Sequence, residues 1–304
     1  MKSEKGKRIK AHVAASAFLV CLACLCALPT GCVREDVDGC LQYSLSVKVV
    51  DADGNDITSS GTVTSVDLYL FDADGFVRLI PKGTSTDYVF AEEEGSALTL
   101  VAWGNLKADS LNIPQLAVGT SLEDAQIVLL KHTNGGDRPS SDLFYSKLEL
   151  GPTTRAGMSE NTSTIVLKRL ASGVSIRTSS LERHFGTSAD TCRIVVRGAG
   201  NALNFLAKIA GEESGYEPVV KRDAGGDLYA APFCIFPTQE DGSLTIELYR
   251  SGKKLFSTST DDEGNPLQAP AGKTLSVNID FANAKAKITV SVTNWQQIDQ
   301  DTEM

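Results

Sequence analysis

The sequence contains 304 residues, in which 38 acidic side chains outnumber 29 basic ones and give a formal net charge of −9. An acidic surface repels phosphate backbones, so we do not expect a nucleic-acid partner. The length exceeds the roughly 100–150 residues of a typical single domain, which favours two domains.

The first 31 residues have the pattern of a secretory signal peptide. Residues 1–10 contain five basic residues and one acidic residue, and residues 11–27 contain no Asp, Glu, Lys or Arg. A transmembrane helix needs about 20 consecutive apolar residues. This run is shorter, so cleavage of residues 1–31 is favoured over a retained anchor helix. Cleavage would remove the five basic residues and the one acidic residue, and it would change the net charge from −9 to −13.

Gly31 and Cys32 mark the predicted end of this signal. A small residue directly before a cysteine resembles a bacterial lipobox, in which the thiol receives lipid before the chain is cut. The match is imperfect, because Pro29 occupies the position at which a lipobox usually has Leu. We expect Cys32 to be the first mature residue, to carry acyl chains such as palmitate, and to attach the protein to the outer membrane.

A short linker, 32–40, follows the predicted cleavage point. Its basic-then-acidic run at 34–36 looks like the export tag of surface lipoproteins in some Gram-negative bacteria. A solvated linker would show the same charges, so the run does not by itself distinguish a surface location.

The rest of the chain is dominated by alternating apolar and polar residues, the pattern of a half-buried β-strand. Such runs are found at 41–50, 63–71, 97–103, 163–170, 174–178, 191–196, 243–250, 274–281 and 286–295. Clusters of Gly, Asp, Asn and Ser separate them, at spacings typical of β-sandwiches. Because each sheet face needs a partner layer, we predict an all-β chain with one sandwich at 41–170 and another at 171–304.

Two short segments, 121–126 and 180–185, are the best candidates for one or two helical turns. The tetrapeptide Asp-Ala-Asp-Gly occurs at 51–54 and again at 72–75. An EF-hand loop needs Gly at its sixth position and Glu at its twelfth, and the first copy has neither, so no calcium site is predicted. The second copy lies between two apolar runs, which predicts a tight hairpin turn.

Three cysteines follow Cys32 without forming a CxxC pair, so a zinc site is not expected. Cys192 and Cys234 lie in strand-like apolar stretches, and they could join in an oxidising compartment or remain two buried thiols. Cleavage would leave two histidines, His132 and His184, and the sequence has no GxSxG, HExxH or P-loop motif. We therefore expect neither a catalytic site nor a bound cofactor or metal.

Five segments together resemble one known family. They are CVREDVDGC (32–40), VDLYLFDADGFV (66–77), LTLVAWGN (98–105), IVLKRLASGVSIR (165–177) and NWQQI (294–298). Their residues and their order are similar to those of the fimbrillin-A-associated, FimB-like fimbrial anchor lipoproteins. The family's recurrent arginine falls on Arg169 and its closing tryptophan on Trp295.

The resemblance implies two transthyretin-like β-sandwiches that are held at the outer membrane by lipid, hold the base of a fimbrium and can limit its length. It also implies assembly by strand exchange, in which one subunit fills a groove of its neighbour. An anchor that keeps its first strand, 41–50, would hold that groove closed. Stalk subunits of this class are cut after an arginine near the N-terminus, whereas Arg155 lies deep in the first predicted domain and is interpreted as an ordinary loop residue.

A surface glycan-binding lipoprotein is the alternative function. It would have the same anchor and sandwiches but would stack exposed aromatic rings on sugars. Trp103 and Trp295 are the two tryptophans of the chain, and both end predicted strands in a way that indicates packing. Fimbrial stalk subunits, bound by β-strand contact, are therefore the preferred partners.

We predict that replacing Cys32 by Ala releases the protein from the membrane, since acyl chains contribute about 0.8 kcal/mol of membrane binding per buried CH₂. Cell fractionation and labelling with a fatty-acid probe measure this. The control is Cys40→Ala, the next cysteine along the chain, which should change neither result. Membrane association and labelling that persist in the Cys32→Ala variant would refute the prediction.

Overall fold

The computed structural model describes residues 40–81, 87–93, 97–151 and 161–295. The predicted signal peptide, Gly31, Cys32 and Arg155 lie outside the described residues. The strands are β1 (Cys40–Val50), β2 (Val66–Asp72), β3 (Gly75–Ile80), β4 (Tyr88–Glu93), β5 (Leu98–Gly104), β6 (Leu111–Asn112), β7 (Gln126–Leu129), β8 (Phe144–Leu150), β9 (Asn161–Arg169), β10 (Ser172–Ser179), β11 (Cys192–Asn204), β12 (Ile209–Tyr216), β13 (Val220–Arg222), β14 (Leu228–Ile235), β15 (Thr245–Arg250), β16 (Lys253–Thr258), β17 (Lys273–Asp280) and β18 (Lys287–Asn294). One α-helix, α1 (Leu181–Phe185), and one 3₁₀ turn (Thr58–Ser60) complete the elements of the described ranges, so the all-β prediction is confirmed.

The nine alternating runs all form strands. They correspond to β1, β2, β5, β9, β10, β11, β15, β17 and β18. The helix expected at 180–185 is present as α1. At 121–126 the chain makes a single turn, closed by a hydrogen bond from the N–H of Ala125 to the C=O of Ser121, and then enters β7.

The first sheet contains seven strands in the order β3-β2-β5-β8-β9-β1-β4. Strand β1 lies between β9 and β4, and it pairs with β9 in parallel over eight consecutive residues of each strand. The step from β8 to β9 rests on two residue pairs. One buried cluster joins residues on both sides of that step, such as Leu45 of β1 and Leu70 of β2. The sheet therefore folds over at this step into two facing layers.

The later strands form two further sheets. One has the order β13-β14-β10-β17-β18, and the other has the order β16-β15-β11-β7-β6, with β12 also paired to β11. Strands β10 and β17 are parallel over seven residue pairs. A second buried cluster contains apolar side chains of both sheets, such as Val277 of β17 and Ile246 of β15. The two sheets therefore pack face to face across this cluster.

Strands β2 and β5 are buried on both faces, which their alternating pattern did not predict. In β2, Leu68 and Leu70 belong to the first cluster, while Tyr69 and Phe71 belong to the second. The side chains of β5 divide in the same way. Since successive side chains of a strand point to opposite faces, the layer β3-β2-β5-β8 is a wall shared by two cores. In β2 and β5, alternate side chains therefore enter two different hydrophobic cores.

The hairpin turn predicted at 72–75 is confirmed. Strand β2 ends at Asp72 and β3 begins at Gly75. Gly75 has a φ of 119°, a conformation that L side chains rarely adopt. A Cβ at this position would also lie 2.6 Å from the backbone carbonyl of Gly119, so both conformation and space require glycine.

The first Asp-Ala-Asp-Gly copy forms a different turn, which follows β1. The Asp51 carboxylate accepts the side-chain amide of Asn55 at 3.0 Å and the N–H groups of Asn55 and Asp53 at 2.8 and 2.9 Å. Led by the Asn55 amide, these hydrogen bonds lower the pKa of Asp51. The carboxylate therefore serves the turn itself, and the described ranges contain no group of three or more side chains arranged to hold a metal.

The predicted domain boundary between residues 170 and 171 falls between β9 and β10, where the chain passes from the first sheet to the second. Strands β6 and β7 precede this boundary in sequence but lie in the sheet of β11. Ile127 and Leu129 of β7 accordingly belong to the second buried cluster. The division into 41–170 and 171–304 stays a prediction. In the structure, part of the earlier chain completes the later sheets.

Phe205 packs against the shared wall and connects it to the later sheets. It follows β11 and is fully buried. Its ring centre lies 4.9 Å from that of Tyr69, 5.7 Å from that of Trp103 and 5.9 Å from that of Phe71, in edge-on geometries that aromatic pairs favour. The hydroxyl of Tyr145 donates to the C=O of Phe205 at 2.8 Å. One side chain of the later half thus closes the outer face of the wall.

Truncation of Phe205 to Ala should lower the free energy of unfolding by about 3–5 kcal/mol, because it leaves a cavity where three aromatic rings meet. Urea denaturation of the two proteins measures the difference. Val118→Ala is the control, since Val118 is 81% exposed and surface substitutions usually change stability by no more than about 0.5 kcal/mol. Equal losses in the two variants would contradict the role assigned to Phe205.

Candidate functional site

The edges of the sheets are the candidate contact surfaces, because an edge strand presents unpaired N–H and C=O groups. Strands β6 and β13 are only two and three residues long. Strand β16 carries Lys253 and Lys254, and β12 carries Glu212 and Glu213. Charges of this kind protect an edge against added strands. These four strands are therefore poor contact surfaces.

The edges of the first sheet are covered or tied to each other. On β3, the N–H of Phe76 donates to the C=O of Thr120 at 2.8 Å, and its C=O accepts the N–H of Gly119 at 2.8 Å. Arg78 of β3 reaches across to Glu92 of β4 and donates to its carboxylate at 3.0 Å. A partner strand would have to displace these contacts.

Strand β18 has an open edge. It pairs with β17 on one side, and no described strand pairs with its other side. Asp262 covers the first part, since its N–H donates to the C=O of Ile288 at 3.2 Å and its carboxylate accepts the N–H of Ile288 at 3.1 Å. The backbone groups of Val290 and Val292 point the same way as those of Ile288, and the described residues supply no partner for them there.

The apolar side chains of β18 also become more exposed to solvent toward the end of the strand. Ile288 is 8% exposed, Val290 is half-buried and Val292 is 49% exposed. The segment 290–294 contains no charged side chain. This segment, called here the β18 edge, can accept both backbone hydrogen bonds and an apolar side chain from an added strand.

The chain leaves β18 at Trp295, which lies against Arg169. The guanidinium carbon of Arg169 is 4.3 Å from the centre of the Trp295 ring and 4.6 Å from that of Phe144. Its Nε and Nη2 donate to the two carboxylate oxygens of Asp142 at 2.8 and 3.1 Å. The side chain of Arg169 is 7% exposed. These four residues, called here the junction latch, hold a desolvated cation between aromatic rings and a carboxylate.

The Trp-Gly-Asn motif at 103–105 builds the support of the junction latch. A Cβ at Gly104 would lie 2.9 Å from the Cβ of Phe144, so glycine permits this close approach. Asn105 has a φ of 61°, in the left-handed region that Asn tolerates. Its side-chain amide donates to the C=O of Asp142 at 3.0 Å. The motif therefore places both Phe144 and Asp142 beside the arginine.

The ionisation of Asp142 reflects its surroundings. Burial raises the pKa of Asp142, and the hydrogen bonds and charge of Arg169 offset only part of this effect. Because the ion pair needs an ionised carboxylate, it weakens as the pH falls through this raised pKa.

The structure brings together residues that the family resemblance marked in separate segments. Arg169 and Trp295 meet in the junction latch, and Asn105 supports it through its hydrogen bond to Asp142. The sequence patterns did not identify Asp142 and Phe144. These residues lie just before and at the start of β8, in a segment with no recognisable motif and no alternation of apolar and polar residues. Nothing local in the sequence marks them as partners of the arginine.

The remaining predicted candidates lie apart from this surface. Cys192 lies on β11 and Cys234 on β14, in different sheets, and their possible disulfide stays a prediction. Cys234 is fully buried in β14, and the Sγ of Cys192 accepts a hydrogen bond from Arg222 at 3.0 Å. Trp103 is fully buried and is not accessible to a sugar ring. Within the described ranges, no helix has the length and apolar character needed to cross a membrane.

Known proteins resemble this chain over most of its length. The family profile of the fimbrillin-A associated anchor proteins Mfa1 and Mfa2 matches residues 37–301. The major fimbrium anchoring subunit FimB of Porphyromonas gingivalis strain W83 is 27% identical over 286 residues, which cover 90% of this chain and 93% of that protein. Another FimB sequence of Porphyromonas gingivalis is 27% identical over 283 residues, which cover 89% and 91%.

A solved structure shares the fold. The fimbrial anchor protein Mfa2 from Porphyromonas gingivalis superposes with a TM-score of 0.62 at 14% sequence identity, over 84% of this chain and 98% of that one. The resemblance seen in the sequence motifs is thus confirmed. Because the family profile covers residues 37–301, the chain belongs to the fimbrillin-A associated anchor proteins.

Proposed function

We propose that this protein is a non-catalytic lipoprotein of the outer membrane that anchors a fimbrium and binds its stalk through the β18 edge. Membership of the anchor family supports a fimbrium-associated role at the cell surface. The observation that carries the β18 assignment is that, among the strands of the described ranges, β18 has an uncharged edge segment without a backbone partner, whereas the other edges are short, charged or covered. Strand addition at such an edge supplies backbone hydrogen bonds to a partner.

The position of β1 supports a terminal role in the assembly. Strand β1 lies inside its sheet, with β9 on one side and β4 on the other. Tyr43 and Leu45 are 2% and 0% exposed. A subunit that accepts a donated strand needs an empty groove, and here the chain's own first strand fills this place. The protein can therefore offer an edge to one stalk subunit while keeping the β1 groove closed.

The predicted lipid supplies the other end of the anchor. Cys32 precedes Cys40, the first residue of β1, by eight positions. Eight extended residues reach at most about 28 Å. Acyl chains on Cys32 would therefore keep the start of β1 within that distance of the outer membrane.

Replacing Val292 by Asp should weaken stalk binding at least about tenfold, because an added strand would bury the new charge without a partner. The free protein should keep its stability, since Val292 is 49% exposed. Binding of purified stalk subunits to the purified protein measures the effect. Cells that carry the variant should also release more fimbriae into the medium.

Val89→Asp is the matched control for this experiment. Val89 lies on the edge strand β4, and its exposure of 51% is close to that of Val292. The control should bind stalk subunits like the unchanged protein. Loss of binding in Val89→Asp with normal binding in Val292→Asp would move the contact to β4. A deletion strain with normal surface fimbriae that no longer grows on a glycan would favour the glycan-binding alternative.

A further inference from the structure

The C-terminal end of β18 contacts the part of the molecule that contains β1. Trp295 contacts Arg169, the final residue of β9. The side-chain amide of Asn294 donates to the carboxylate of Asp53 at 2.9 Å, in the turn after β1, and it also accepts a hydrogen bond from Lys273. Asn294, the last residue of β18, and Trp295, which follows the strand, thus each contact a residue that precedes position 170.

Strand β18 is weakly held by its own packing. Among its eight residues, Ile288 has the one buried side chain. The strand pairs with β17 in antiparallel register along its whole length. A pull that acts at one end of an edge strand breaks such hydrogen bonds one at a time from that end, because each bond in turn carries the load. The start of β18 is held by Asp262 and by the short connection to β17, so its end is the vulnerable point.

On the Arg169 side of the junction latch, strands β9 and β1 are paired in a way that resists a pulling force. Strands β9 and β1 are parallel over eight residue pairs. A force that pulls the start of β1 and the end of β9 in opposite directions acts along the strands. All the hydrogen bonds between them then share the load, and none breaks before the others. The proposed lipid on Cys32 would pull on the start of β1, and Arg169 is the end of β9.

We propose that Arg169 and Trp295 are positioning residues that keep β18 paired with β17 when the stalk is pulled. This inference rests on the proposed function for the direction of the load. The β18 edge then determines attachment at rest, and the junction latch determines attachment under load. Asp142 and Phe144 contribute by holding the guanidinium in place.

Hydrogen exchange of the full-length protein tests the fastening directly. In Trp295→Ala, the β18 amides that bond to β17 should exchange at least about tenfold faster, because the end of the strand opens locally. Trp295→Phe should recover part of the protection, since a phenyl ring still contacts a cation. The control is Arg177→Ala on β10, where Arg177 is exposed and lies over the Tyr229 ring at 5.1 Å.

The exchange result has clear alternatives. Faster exchange confined to β18 in Trp295→Ala, with normal exchange in Arg177→Ala, supports the inference. Unchanged exchange in Trp295→Ala overturns it, and so does an equal increase in the control variant. The urea midpoint of each variant identifies a general loss of folding, and in that case Trp295→Phe provides the test.

A flow experiment tests the role under load. Cells with Trp295→Ala should bind stalk subunits normally at rest but release fimbriae at a lower flow rate than unchanged cells, and Trp295→Phe should restore part of the retention. Equal release by Trp295→Ala and unchanged cells overturns the inference. Failure of the unchanged protein to bind stalk subunits at rest would instead refute the proposed function, while hydrogen exchange would still decide whether the junction latch holds β18.

Discussion

Strands β2 and β5 are buried on both faces, and this burial governs how the three sheets pack. An antiparallel sheet often leaves one face to solvent, whereas here each side chain of the wall must fit one of two cores. Protein interiors are closely packed and transmit small displacements. The wall therefore fixes the later sheets relative to the first one, with Phe205 and Tyr145 closing the contact. The edge at β18 is consequently positioned relative to β1.

The uneven protection of the sheet edges follows from this arrangement. Most edges end in charges, short strands or hydrogen bonds to a loop, which prevents unwanted pairing. On β18 the protection stops after Ile288, where Asp262 makes its last contact. Beyond it the strand keeps its apolar face and has no charge. An edge that is closed at one end and open at the other favours a partner of defined register.

The junction latch connects distant parts of the chain through one desolvated cation. Arg169 has its charge matched by Asp142, and its guanidinium lies against the rings of Phe144 and Trp295. Removing one partner of a buried ion pair is costly, because the remaining charge loses its compensation. Such a pair adds little net stability relative to well-packed apolar residues. Its value here lies in the geometry that it imposes on the end of β18.

The alternating strands, the hairpin at Gly75 and the short helix α1 were predictable from the sequence, because strand period and turn chemistry depend on neighbouring residues. Family motifs also pointed to Arg169 and Trp295, though not to the contact between them. The pairing of Asp142 with the arginine and the passage of β7 into the later sheets depend on the three-dimensional fold. So does the burial of both faces of β2 and β5. These features depend on which sheets pack together, and contacts between residues far apart in the chain leave no periodic pattern in either segment.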